Sequence, residues 1–514
     1  MTNRKKEFKP KLISPVFTVL MMSLIIMFAS WLLSLIGFES QKAVIVALKN
    51  SPLPYGVEMT LTTIKNIFTV EGFKFFINNA TSNLAVFKPL VLLVISLIGI
   101  GIGEASGLFQ SWFTKFSKIK PIVLTFLMLL IGIISTFLGD YSYILLLPLV
   151  GVIYKYAKRS PMLGILTVFI GITIGHGAGA IFDYNDFLLG LTTQITANLE
   201  RNNNYVYSLY STIYIMIGST AILSFLGASV IEIFLAPKLN KKYIAEEEVV
   251  EVSKRASIIT NIVLLLMMIL IVYSIIPGYP LSGFMLDSNQ KIYVAQLMSD
   301  SAPFKDGVIY LITIMFMVCS FVYGSLTKRF KDNHDYNIGL AKGFEKLGYL
   351  FVLMFFSLQM LSILEWTNIG EVVAATLINI VGALQFSGIL LIITFFIVVI
   401  LLSLLIPSLT TKWQLMAPVA IPLFMRSNIT PDFTQFIFRV ADGVGRGFTP
   451  LFVYFLIMLG FLQKYSDDSE KISIFGTMGL IMPTILIMTG LWLLIILGWY
   501  IIGLPIGIGT FPTL

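Results

Sequence analysis

The chain has 514 residues, of which 57% are hydrophobic and only 12% charged. Soluble domains carry roughly 25% charged residues, so this composition excludes a soluble enzyme and a disordered chain and requires a polytopic membrane protein. A single cysteine, Cys319, excludes a disulfide framework. Two histidines, His176 and His334, argue against a histidine-rich metal centre. The net charge of +8 reads as a topology signal, with no nucleic acid implied.

A spanning helix needs about 20 apolar residues. In chain order, apolar runs predict helices over residues 12–36, 89–103, 121–138, 141–156, 162–180 and 208–234. Runs over 257–276 and 307–324 follow, then 347–364, 388–406, 413–425, 433–440, 450–461 and 480–504. Several are too short, or too broken by Gly and Pro, to cross alone. The expected fold is therefore an all-α polytopic membrane protein with about nine transmembrane helices. Two re-entrant hairpins complete it, set in two inverted repeats with broken helices.

Arg4, Lys5, Lys6, Lys9 and Lys11 precede the first run and predict a retained first helix with a cytoplasmic N-terminus. Residues 1–87 then comprise that tail, the first helix and an external or interfacial segment. Residues 88–235 form a first transport repeat with its hairpin at 121–156. Lys115, Lys118 and Lys120 before that hairpin, and Lys155, Lys158 and Arg159 after it, suggest entry and exit on the cytoplasmic face; two full crossings would give the same pattern. Residues 236–256 read as a charged cytoplasmic linker and 257–344 as connecting helices. Residues 345–514 form the second transport repeat, with its hairpin at 386–425.

The two repeats are suggested by an offset of 270 residues that relates Pro148 to Pro418, Pro161 to Pro431, Gly175 to Gly445, Gly177 to Gly447 and Tyr143 to Trp413. Each half reads as apolar arm, polar tip, apolar arm with proline, then a helix that breaks at alternating glycines: GHGAGAIFDYND (175–186) and ADGVGRG (441–447). Broken backbone at membrane depth is tolerated only against protein or a water-filled cavity. Paired breaks of this kind point to a transport site.

Ionisable residues inside a membrane are expensive and are functional candidates by default. Arg439, Asp442 and Arg446 cluster beside the second break, with Thr430 and Pro431 as cap and first-turn proline. Arg439 reads either as the partner of Asp442 or as a ligand for a substrate carboxylate, since a guanidinium offers a planar fork. Asp186 and Asp183 close the first break, as proton or cation sites or as helix caps at the membrane surface. Asp140, at the first tip, either meets a coupling ion or caps the next arm. His176 is a proton relay or a satisfied interior histidine. Trp413 is either a stacking platform for an aromatic solute or an interfacial anchor. Glu104 and Glu232 read as interfacial.

The sequence lacks HExxH, GxSxG, P-loop and dinucleotide motifs. Without a nucleotide site, the energy for transport has to come from an ion or solute gradient. An intramembrane hydrolase or acyltransferase would need a base from His176 or His334, and a passive channel would conduct without saturation.

At these residues the chain resembles the AbgT family of aminobenzoyl-glutamate transporters. The blocks that carry the resemblance are KWQLMAPVAIPLFM (412–425), TPDFTQFIFRVAD (430–442), WYIIGLPIGIG (499–509) and, earlier, IKNIFTVEGFKFFINN (64–79), GIGEASGL (101–108), KRSPMLG (158–164) and DFLLGLTTQ (186–194). The resemblance implies a homodimer in the bilayer, with nine spans and two hairpins per subunit and a bowl-like aqueous cavity. It implies ion-driven transport of p-aminobenzoyl-glutamate or export of sulfonamide-type antimetabolites. It carries over the transport residues onto Asp186, Trp413, Pro431, Arg439 and Asp442, with Thr410 standing for a family serine. Ser403 stands where the family has asparagine, Gly179 replaces another asparagine, and Arg446 stands where an uncharged residue is usual.

The reading is a secondary transporter for a small carboxylate-bearing solute in a bacterial cell membrane, not an enzyme. It has no cofactor and couples to H+ or Na+. The expected substrate site is Arg439, Asp442, Trp413, Asp186, Thr410, Pro431 and Arg446. The expected ion-coupling set is Asp186, Asp442, Asp140 and Ser403. The alternative is a dicarboxylate or amino-acid carrier on the same scaffold, which the second guanidinium of Arg446 would suit.

Overall fold

Several helices start where the sequence supplies a capping hydroxyl or a first-turn proline. Ser14 and Pro15 open α1 (Pro15–Ile36), which Gly37 ends in the left-handed conformation at φ +69°. A computed structural model gives the architecture and describes residues 13–48, 55–200, 205–240, 243, 252–466 and 472–514. The basic N-terminal cluster and residues 241–242 and 244–251 of the charged linker lie outside the described residues.

After α1 the chain is not helical. β1 (Glu39–Ala47) and β2 (Tyr55–Thr63) pair antiparallel, with Glu39 opposite Thr63 and Ala47 opposite Tyr55. The run Val44-Ile45-Val46 and the threonines 60, 62 and 63 favour this extended pairing. The chain is mostly helical, as expected; the one exception among the described residues is this hairpin in the stretch read only as non-spanning, which a search for 20-residue apolar runs does not register.

The first half continues with α2 (Lys88–Ala105), α3 (Pro121–Ile134), α4 (Tyr141–Tyr156), α5 (Pro161–Ile174), α6 (Tyr184–Glu200) and α7 (Ile213–Phe234). α8 (Lys254–Ile275) and α9 (Pro303–Leu326) connect the halves. The second half is α10 (Gly348–Trp366), α11 (Ile369–Leu384), α12 (Gly388–Ser403), α13 (Leu409–Arg426), α14 (Pro431–Phe448), α15 (Val453–Lys464) and α16 (Ile474–Ile502). Among the described residues eight helices are long and apolar enough to cross a membrane, or nine if α14 and α15, bent by 42° across their break, form one span. One of the eight is residues 121–138, expected as a hairpin arm. α1 and α8 leave most of their apolar surface uncovered, as lipid-facing helices do.

The 270-residue offset survives in the fold. It places α4 on α13, each with its proline inside (Pro148, Pro418), and α5 on α14, each with its proline in the first turn (Pro161, Pro431). In each half the two arms pack on the helix that follows them: α3 and α4 on α5, α12 and α13 on α14. The halves also exchange contacts. Tyr143 of α4 stacks on Tyr454 of α15 at 4.7 Å, and its repeat mate Trp413 of α13 reaches α6.

The first break is where the sequence placed it: α5 gives way to a 3-10 turn at Gly175–Gly177, and α6 starts at Tyr184. The second is not. α14 runs unbroken through Gly443, Gly445 and Gly447, and the chain breaks only at 449–452. Those glycines serve close packing instead. A Cβ at Gly443 would lie 2.6 Å from the Thr173 carbonyl oxygen, and one at Gly445 would lie 2.5 Å from Ser403 Cβ.

Candidate functional site

α14 crosses the first break. At the crossing a Cβ on Gly177 would stand 2.3 Å from Val440 Cγ2, so glycines on both elements let the two backbones close up. One face of α14 carries Gln435, Arg439, Asp442 and Arg446 at spacings of four, three and four, which is the helical repeat. All four side chains are buried.

Arg439 does not pair with Asp442. Its Nη1 donates to Asp186 Oδ1, across the break in the other half of the chain. Asp186 and Asp183 cap the start of α6 reciprocally: the Asp183 amide donates to Asp186 Oδ2 at 2.9 Å, and the Asp186 amide donates to Asp183 Oδ1 at 2.7 Å. The capping role read for these aspartates holds, but both are buried rather than placed at a surface. Gln435 adds a second tie, its Nε2 donating to Tyr207 Oη at 3.1 Å and its Oε1 accepting from Thr193 Oγ1 at 2.6 Å. Arg439 Nε and Nη2 have no hydrogen-bond partner among the described residues. These two groups form one edge of the guanidinium fork. The same edge of Arg426 holds both oxygens of Glu200 elsewhere in this chain, at 2.8 and 3.3 Å.

Asp442 takes other partners. Lys412, one residue before Trp413, is buried and donates to Asp442 Oδ1 and, at 3.0 Å, to Ser403 Oγ. Ser403 in turn lies 3.0 Å from the same Asp442 oxygen. Arg446 Nε stands 3.0 Å from Asp442 Oδ2 without the alignment of a hydrogen bond, and its Nη1 lies 3.5 Å from Asp140. Asp140 is half exposed and occupies the N-cap position of α4, but its side chain makes no capping bond. His176 lies against Gly443, buried, with Nε2 unpartnered among the described residues.

The structure thus brings together Asp186 with Arg439, and Asp442 with Ser403, Arg446 and Asp140. Pro431 sits in the first turn of α14 behind its Thr430 cap, as expected, and away from these charges in the chain. Thr410 is partly exposed at the second tip and lies 3.4 Å from Ser408 Oγ. Trp413 is fully buried, which removes the interfacial-anchor reading. It packs on Phe438 at 4.5 Å and donates to the Leu189 carbonyl (3.2 Å) and Thr193 Oγ1 (3.0 Å). Glu104 and Glu232 are likewise engaged, with Lys155 at 2.8 Å and with both terminal oxygens of Glu232 on Arg159 at 2.7 and 2.9 Å. Sequence reasoning missed Lys412 and Gln435. Gln435 was findable, four residues before Arg439 on the same face. Lys412 stands next to Trp413 in the sequence and carries no motif of its own.

No group of three or more His, Cys, Asp or Glu side chains that could hold a metal occurs among the described residues. The family described as "AbgT putative transporter family" matches residues 6–514. The chain belongs to the AbgT family. It is a multi-pass membrane transporter, and the resemblance in its motifs extends to nearly its whole length. Among curated relatives, the p-aminobenzoyl-glutamate transport protein of Escherichia coli (strain K12) is 27% identical over 461 residues, or 88% of each chain. Two solved AbgT-type structures align at a TM-score of 0.48. They are the YdaH transporter of Alcanivorax borkumensis (22% identity, 96% of this chain and 100% of that one) and MtrF of Neisseria gonorrhoeae, described with a class of antimetabolite efflux pumps (23% identity, 98% of each).

Proposed function

We propose that this chain is an ion-gradient-driven secondary transporter of a small carboxylate-bearing solute, of the p-aminobenzoyl-glutamate kind. The observation that carries the reading is the open edge of Arg439, two parallel donors buried at the crossing of α14 with the first break. Asp186 holds the guanidinium from the other edge, so the fork is oriented before a solute arrives and little ordering is left to do. A solute carboxylate on the free edge puts two negative charges on one guanidinium. A buried site then needs one more positive charge, which an H+ or Na+ taken from the gradient supplies, and this couples the two fluxes. Trp413 braces α6 against α13, and Gln435 fixes α6 against α14.

Export of sulfonamide-type antimetabolites is a second use of the same fork, because a sulfonyl group also presents two oxygens. Arg446 is already engaged with Asp442 and Asp140, so the dicarboxylate alternative loses the free guanidinium that favoured it. The uncovered apolar faces of α1 and α8 supply area for lipid and for a second copy in a cell-membrane homodimer.

The test is uptake of p-aminobenzoyl-glutamate into proteoliposomes by the wild-type chain and by Arg439→Ala and Arg439→Lys. Both variants are expected to lose saturable flux, the lysine because it keeps the charge but not the fork. Normal uptake by a correctly folded Arg439→Ala would end the assignment.

A further inference from the structure

The 3-10 turn of the first break is Gly175-His176-Gly177, and both glycines are pressed against other elements. A Cβ at Gly175 would stand 2.6 Å from Ile133 Cγ1 of α3, and one at Gly177 2.3 Å from Val440 Cγ2 of α14. The turn is clamped from both sides, so backbone packing sets where the imidazole between the glycines stands. It lies against Gly443 of α14, where a Cβ would come 2.6 Å from His176 Cβ; the glycine leaves room for it.

Gly443 follows Arg439 by about one helical turn on the same face, about 6 Å along the axis. Buried polar atoms are nearly always hydrogen-bonded, and an exception calls for an explanation. At this crossing the exceptions among the described residues are Arg439 Nε and Nη2, His176 Nε2, Asp442 Oδ2 and Arg446 Nε. The last two stand 3.0 Å apart and offset each other's charge. What remains is the open edge of Arg439 and, on a residue only 4% exposed, one imidazole nitrogen a turn further along. The first suits a carboxylate. The second makes one directional hydrogen bond and suits an uncharged polar group. A bare carboxylate is shorter than a helical turn and serves only the first.

We infer that His176 is a specificity residue for the solute. Its Nε2 hydrogen-bonds the amide that links the solute's carboxylate arm to its aromatic ring, while Arg439 holds the neighbouring carboxylate. The inference deepens the carboxylate-solute reading and rests on it. It narrows the substrate class to N-aroyl amino acids, in which carboxylate, one carbon, amide and ring follow in that order. A carboxylate without the amide leaves the buried nitrogen bare, and such a solute binds less well for it.

Two competitors isolate the amide. Hippurate (benzoylglycine) has the carboxylate, amide and ring in the required order, and 4-phenylbutyrate keeps the spacing with two methylenes in place of the amide. Each is titrated against radiolabelled p-aminobenzoyl-glutamate on the purified full-length chain, for the wild type, His176→Ala and His176→Gln. The wild type should favour hippurate over 4-phenylbutyrate by about tenfold, the scale of one buried hydrogen bond. His176→Ala should erase that preference by weakening hippurate alone. His176→Gln, which keeps a donor and an acceptor, should retain part of it. An unchanged preference in His176→Ala would overturn the inference, and so would equal weakening of both competitors, which marks a merely structural role. The chain has two histidines, and the other, His334, is exposed. His334→Gln made with isotopically labelled histidine and no histidine tag therefore reports on His176 alone by NMR in liposomes. The imidazole nitrogen resonance should move when hippurate saturates the protein and move far less with 4-phenylbutyrate. This measurement decides if His176→Ala does not fold. Hippurate binding with an unmoved resonance would end the inference and leave the solute reading standing; a wild type that binds no p-aminobenzoyl-glutamate would end both.

Discussion

Three glycines of α14 offer a graded test of how the site is built. Replacing glycine by alanine inside a helix gains about 1 kcal/mol from backbone propensity alone. Forcing an extra methyl into a packed core costs about 1–3 kcal/mol. Which effect wins depends on what the methyl meets. At Gly443 it would lie 2.6 Å from both His176 Cβ and the Thr173 carbonyl, and at Gly445 2.5 Å from Ser403 Cβ and 3.1 Å from the Ile400 carbonyl. These are backbone or near-backbone atoms, roughly an ångström inside van der Waals contact, and they cannot rotate away. At Gly447 the nearest atoms are the Cδ1 tips of Ile174 and Ile485, both at 3.2 Å, which can. Gly447→Ala should therefore be neutral or stabilising by up to about 1 kcal/mol, while Gly443→Ala and Gly445→Ala should lose about 1–2 kcal/mol net of the propensity gain. Denaturant or thermal unfolding of the purified protein gives the order. Uptake should fall with Gly445→Ala in particular, because Ser403 stands on Asp442. Equal stabilisation in all three variants would refute this reasoning and would mean that the glycines weaken a helix that has to break.

Asp186→Asn strands a buried guanidinium and should destabilise the fold by about 3–5 kcal/mol; adding Arg439→Gln should recover most of that, and strictly additive losses would show that the pair is not coupled. Trp413→Phe keeps the ring on Phe438 but removes the donor to Leu189 and Thr193. Stability should drop by about 1–3 kcal/mol with KM for p-aminobenzoyl-glutamate unchanged, and a raised KM at unchanged stability would put the indole on the solute instead. Outside the spans, the Ser301 hydroxyl, with help from the Asn289 amide, holds the Asp287 carboxyl down at about 2. Its folded value is depressed, so its contribution is present above the ordinary value of 3.8 and is lost as pH falls through about 2. Pepsin cleavage within 277–302 should rise as pH falls across that window, and Asp287→Asn should be cleaved already at its upper end.

Much of the fold was legible because its signals are local. Thr430-Pro431 announced α14, Pro161 announced α5, and the glycines at 175 and 177 mark a real break. The same pattern at 443–447 misled, because a glycine that ends a helix and one that lets another backbone approach look alike in sequence. The β-hairpin escaped for want of a 20-residue apolar run. At the site, the right charges were found, but the one partner weighed for Arg439 within the chain was Asp442. Arg439 and Asp442 are neighbours on one helix face, and that proximity suggested an ion pair. The partner of Arg439 is 253 residues away, and that of Asp442 is a lysine 30 residues back. Only the crossing of the two halves makes those distances short.

That crossing also dictates an order of events during biosynthesis. Asp186 enters the bilayer long before Arg439 exists. At elongation rates of roughly 5–20 residues per second, the 253 residues between them take about ten to fifty seconds to make. Through that interval the first half holds a carboxyl group whose buried guanidinium partner is still unsynthesised, and the arm carrying Tyr143 lacks the tyrosine it stacks on. The nascent half cannot reach its final packing on its own; it closes when residues 431–464 arrive, so the last third of the chain acts as the template on which the first third folds.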